Sequence, residues 1–235
     1  MAVKKLNVHQ DVRARLGDAL IDEPAAHLYA VDCQTCGHAL GRVRAPALGV
    51  RDFGDAANAS LHHPRCLKRP WVSGAEPRLS GPRHLSWRTK ILQLDSDRKL
   101  LFLVNPSLEV ATLLPGKDGW RYGTVEYYVL SGLRTDRDPG LVDAMTARLL
   151  PEGHLEVEFA PVAGIPAEVW RWTIPASHPF AAILRSLDQV LIAITTALDF
   201  DAPTTGEALE QAITDGRVAI GSAELNRAQD GAQPR

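Results

Sequence analysis

Three cysteines make up the thiol content of this 235-residue chain, and all lie within residues 33–66. They occur in the runs Cys33-Gln34-Thr35-Cys36-Gly37-His38 and His62-His63-Pro64-Arg65-Cys66. The pattern is C-x2-C, a 26-residue spacer that begins with Gly37, then H-x2-C. Zinc is satisfied by four thiolate or imidazole donors at about 2.0–2.3 Å, arranged as a tetrahedron. The spacing predicts a structural Zn2+ site made of Cys33, Cys36, His63 and Cys66. His62 is the alternative fourth ligand. Glycine after the second cysteine permits a tight turn with amide N–H groups aimed at sulfur, and Gly37 stands there. Pro64 suits the first turn of a helix, which puts His63 at the N-cap and Cys66 in a first turn whose dipole favours thiolate. A dithiol redox pair at Cys33 and Cys36 is a competing reading. It calls for a strand-to-helix setting and leaves Cys66 without a role. A closed Cys3His sphere has no open position for catalysis.

A cysteine knuckle, a strand or hairpin, and a helix carrying the last two ligands is the order of treble-clef zinc fingers. The motif also resembles the fingers of poly(ADP-ribose) polymerases, over residues 31–71, through Cys33, Cys36, His63 and Cys66. The resemblance implies a structural zinc; no activity is carried over with it.

The flanking residues suggest a surface. Arg65, Lys68 and Arg69 flank the last ligand, Cys66, with Trp71 just beyond Pro70. Basic side chains beside an aromatic are what a phosphate or other anion would meet; the plainer reading is solvated arginines that pair with the acidic remainder. Residues 37–90 hold ten Lys or Arg against three Asp or Glu, whereas the rest of the chain holds sixteen against twenty-five. The net charge of −2 alone points to no polyanionic partner. Glu156 and Glu158 read as the solvent face of a strand, and the D-x-D pairs at Asp95 and Asp199 as turns. The sequence has no G-x-S-x-G, Walker loop or H-E-x-x-H. The expected role is therefore a non-enzymatic binding or regulatory protein, with protein or nucleic acid as partner. The alternatives are an enzyme with its site in the C-terminal half, or a thiol redox protein.

These residues need elements to position them. Val8, Val12, Leu16 and Leu20 predict a helix over 7–22, capped by Asn7. Residues 27–31 and 48–53 read as strands around the first cysteine pair. The Pro- and Gly-rich stretch 73–86 reads as a linker. Period-two patterning then predicts strands over 87–94, 100–104, 108–114 and 120–130, forming an antiparallel meander. A helix over 140–150 and strands through Leu155 and Trp170 follow. Phe180, Leu184, Leu187, Leu191, Ile194 and Leu198 step by 4-3-4-3-4 and predict a helix over 180–198. That stripe suits core packing better than a homodimer seam. Thr204 to Glu207 caps a last helix through Ile213.

The expected fold class is α+β: an N-terminal helix (1–25), a zinc-binding module (26–72), the linker, an α+β domain (87–222) built on a mainly antiparallel sheet with C-terminal helices, and a disordered tail (223–235). The N-terminus lacks the apolar run of a signal peptide, and no stretch is long enough for a membrane span. A cytoplasmic protein without membrane contact is expected. Arg outnumbers Lys twenty to six, with abundant Ala, Gly and Pro, a bias typical of high-GC bacterial genomes.

Overall fold

The computed structural model describes residues 5–22, 28–41, 44–74, 88–94, 99–106, 108–162, 167–198, 200 and 206–227. The content is mixed and mostly β, an α+β fold with two sheets. The first sheet has five strands: β1 (Ala47–Asp52), β2 (Ala57–His62), β3 (Trp71–Ser73), β6 (Val110–Gly116) and β7 (Gly119–Tyr122), in the order β3-β1-β2-β6-β7. β1 and β2 form an antiparallel hairpin in which Ala47 faces His62 and Asp52 faces Ala57. β6 pairs antiparallel with β2, although they lie far apart in the chain. Side chains alternate along β2: Ala57, Ala59 and Leu61 are buried, while Asn58, Ser60 and His62 are only half-buried. This is the period-two signature of a strand with one face in the core. On that face, Leu48, Val50, Leu61, Ala111 and Leu113 pack with Val12, Leu16, Leu28 and Cys33.

The second sheet has seven strands: β4 (Arg88–Leu94), β5 (Lys99–Asn105), β8 (Met145–Leu150), β9 (His154–Phe159), β10 (Glu168–Thr173), β11 (Gln189–Ile194) and β12 (Ala219–Arg227). Their order is β10-β9-β8-β12-β11-β5-β4. Two of its pairings, β5 with β11 and β8 with β12, are parallel; the rest are antiparallel. Its centre is covered on both faces. Phe102, Val104, Val190, Ile192 and Ile194 enter one core with Trp170 and Trp172. Leu101, Leu103, Leu191 and Ala193 enter another beneath Leu209 and Ala212 of α5 (Gly206–Thr214). Leu114 of the first sheet and Ala56, just before β2, join the larger core with Tyr127 and Tyr128 of α3 (Thr124–Leu130), so this helix links the two halves.

Several expectations are corrected. The 180–198 stripe is not one helix. α4 (Ala181–Ser186) ends where Leu187 turns extended, and β11 follows. A strand buried on both faces is apolar at every position, and such a run also satisfies helical spacing. A dimer seam along that helix loses its element, whereas Leu184, Val190 and Ile194 do lie in the core. Residues 145–150 form β8, not a helix: Met145 and Ala147 are buried while Thr146 and Arg148 are exposed. The 120–130 segment is β7 and then α3, broken at Gly123. The 7–22 helix is split by Gly17 (φ 80°) into α1 (Gln10–Leu16) and α2 (Asp18–Asp22), and His9, not Asn7, caps it. Asn7 instead bridges to Ala47. Residues 28–31 make no strand; Tyr29 donates its N–H to Leu108. The meander divides, since β5 and β6 lie in different sheets. Because β6 and β7 complete the sheet begun by β1–β3, strands from both sides of residues 73–86 share it. The tail prediction fails for 223–227, which end β12. Trp87, residues 75–86, Asp95, Asp97, Asp199, the Thr204–Thr205 cap and residues 228–235 lie outside the described residues.

Ile192 separates strand from helix, because it lies off the helical stripe yet is fully buried in β11. Ile192→Ala is expected to cost about 2–5 kcal/mol by urea unfolding. A surface-like change below about 0.5 kcal/mol would restore the helix.

Candidate metal centre

Cys33, Cys36, His63 and Cys66 converge, with one donor atom from each lying within 4.8 Å of all the others. The Cys36 sulfur is 3.5 Å from Nδ1 of His63. Donors around a tetrahedral zinc stand roughly 3.8 Å apart, given bonds near 2.3 Å. The set therefore fits a metal ion of that size and softness.

The first two ligands sit on a knuckle. The Gly37 N–H donates to the Cys33 carbonyl at 2.8 Å, and the Cys33 N–H donates to the His38 carbonyl at 2.9 Å. Gly37 takes φ 69°, the left-handed region that its lack of a Cβ allows. The other two ligands follow directly on β2. Cys66 and Leu67 both donate N–H to the His63 carbonyl, closing one turn. The expected helix after Pro64 is absent among the described residues, because the chain leaves that turn for Pro70 and β3. Proline disfavours helical backbone at the residue before it, here Arg69. The treble-clef order is thus not completed, and Cys66 has no helix dipole behind it.

His63 and His62 have different tasks. The His63 ring meets the Ala39 carbonyl through Nε2 at 3.1 Å. A proton held there leaves the Nδ1 lone pair for a metal. The backbone N–H of His63 also donates to the Cys33 sulfur at 3.2 Å. His62 is engaged on both ring nitrogens: Nδ1 with Thr35 Oγ1 and Nε2 with Ser60 Oγ, each at 2.8 Å. Burial lowers its pKa to about 4, so the ring is neutral at pH 7. A Cβ on Gly49 would come within 3.0 Å of that ring and 2.8 Å of Leu67. His62 therefore braces the knuckle against β2. Thr35, Ser60 and Gly49 were not singled out from the sequence; strand alternation over 58-60-62 is the signal that would have found Ser60.

The thiols differ in acidity. Burial works against thiolate at Cys33, but N–H groups of His63, Cys36 and Thr35, with the Cys36 thiol, outweigh it and lower the pKa to about 7. Cys66 is pushed up, by desolvation first and then by the neighbouring sulfurs of Cys36 and Cys33. A cation among them relieves that crowding of negative charge.

Arg65, Lys68 and Arg69 are exposed on the turn that carries Cys66. Beside it a pocket of about 360 Å³ is lined by Leu40, Pro46, Pro64, Arg44, Arg65 and His63, among others. Trp71 is not an open platform. It packs with the first core, 6.4 Å from Trp120, and the Arg15 guanidinium lies 4.8 Å above its ring. Glu156 is nearly buried between Arg171 at 2.7 Å and Arg148 at 3.4 Å, a bridge across the second sheet. No helix among the described residues is long and apolar enough to cross a membrane. No protein-family model, curated protein or solved structure matches this chain.

Two outcomes follow from this geometry. His63→Ala is expected to lose the bound metal in native mass spectrometry, whereas His62→Ala keeps it; the reverse order would make His62 the ligand. Protons compete with metal at Cys33, whose thiolate persists down to about pH 7. Below that pH, apparent affinity should fall at least tenfold per unit in chelator competition. Affinity unchanged between pH 7.5 and 5.5 would contradict thiolate ligation.

Proposed function

We propose that this protein is a zinc-stabilised binding protein that acts through its surface, not through chemistry at the metal. The convergence of three sulfurs and one imidazole carries the reading. Such a donor set selects zinc over hard oxygen-seeking cations. Four protein ligands fill a tetrahedral sphere, so the ion would hold backbone segments together. It would join the 33–36 knuckle to the turn after β2, and with it the basic side chains Arg65, Lys68 and Arg69.

Those side chains are the proposed contact surface for an acidic partner, either a protein face or nucleic-acid phosphate. Arg44 and Arg65 line the adjacent pocket with no carboxylate among its described lining residues. Base stacking on Trp71 is disfavoured because Arg15 covers the ring. A second reading, an enzyme with its site in the C-terminal half, is favoured by a cleft of about 380 Å³ bordered by Leu149, Ile174, Leu184, Arg185 and Arg227.

Retention on immobilised heparin tests the contact surface. Binding at low salt that weakens steeply as salt rises is expected. Combined Arg65→Ala, Lys68→Ala and Arg69→Ala should elute markedly earlier with zinc content unchanged. Identical elution would remove the basic turn from the reading.

A further inference from the structure

Glu109 is a buried carboxylate outside the four-donor set. It stands one residue before β6 and is only 1% exposed. Its Oε1 accepts the backbone N–H of Asp32 at 3.0 Å, across 77 positions of sequence. Asp32 directly precedes Cys33. The Glu109 carbonyl accepts the Leu61 N–H at 3.0 Å, and the Leu61 carbonyl accepts the Gln34 N–H at 3.0 Å. Its neighbour Leu108 accepts the Tyr29 N–H. Residues 108–109 therefore hold the strand leading to His63 and, through Tyr29 and Asp32, the segment that enters the knuckle.

We propose that Glu109 is a positioning residue of the metal centre, fixing the Asp32–Cys33 backbone so that the Cys33 sulfur meets the other three donors. This rests on the metal reading above. A buried carboxylate is costly unless its acceptors are used, and here Oε1 takes the Asp32 N–H. An apolar residue here would serve the core but leave the Asp32 N–H unmet. Glutamate has the length to reach it, and glutamine keeps both that length and the acceptor oxygen. Aspartate keeps the charge but falls short by one methylene.

Cobalt titration followed by zinc competition tests this on the full chain. Wild type should show the charge-transfer absorption of a three-sulfur, one-nitrogen site. Glu109→Ala should bind at least about tenfold more weakly, the scale of losing an outer partner of a metal site, with altered cobalt absorption. Glu109→Gln should stay close to wild type, and Glu109→Asp should fall below Glu109→Gln. Thr195→Val, which removes the part-buried Thr195–Arg217 hydrogen bond beside the other sheet, controls for stability loss alone. The proposal is overturned if Glu109→Ala binds cobalt like Thr195→Val, or if Glu109→Asp outperforms Glu109→Gln. Should Glu109→Ala not fold, the order of the Gln and Asp variants decides. A wild-type protein that takes up no cobalt would instead end the metal reading itself.

Discussion

Three sulfurs and an imidazole within 4.8 Å of one another form a cluster that could hold a metal ion. Thiolates at that distance repel, and the repulsion is strongest where water is scarce. Cys33 is fully buried in the first core, so its sulfur cannot turn away to solvent. Its negative charge is favoured by N–H groups from Thr35, Cys36 and His63, while Cys66 is driven the other way by desolvation and by the sulfurs of Cys36 and Cys33. One divalent ion would resolve both effects.

The remainder of the fold can be read as the means of bringing these four donors together. β2 delivers Leu61 to the core, His62 to its two hydroxyl partners and His63 to the sulfurs, three consecutive residues with three destinations. β6 arrives from beyond the long intervening segment to close the sheet against β2. α3 joins that sheet to the larger core beneath the second sheet. The metal set is accordingly part of a sheet whose strands come from distant parts of the chain, rather than a finger on a self-contained segment.

The metal set was legible in the sequence because its chemistry is local: Cys33 with Cys36, and His63 with Cys66, are each spanned by one turn. Gly37 was legible for the same reason, since its left-handed φ follows from the knuckle. Strands with one buried face, such as those through Leu155 and Trp170, were legible by alternation. The run Val190–Ile194 was not. Burial on both faces erases the alternation, and its neighbours completed a false helical stripe. Met145–Leu150 was missed because Asp138-Pro139 imitates a helix start. The helix after Pro64 failed because a cap signal says nothing about how far a helix can run before Pro70. Glu109 and the partners of His62 depend on pairings between remote strands, which no local pattern carries.

Zinc K-edge X-ray absorption on the purified protein reads the claim most directly. Three sulfur scatterers at about 2.3 Å and one nitrogen at about 2.0–2.1 Å are the result this account requires. A shell of oxygen and nitrogen alone, or protein purified from zinc-replete cells without bound zinc, would contradict it.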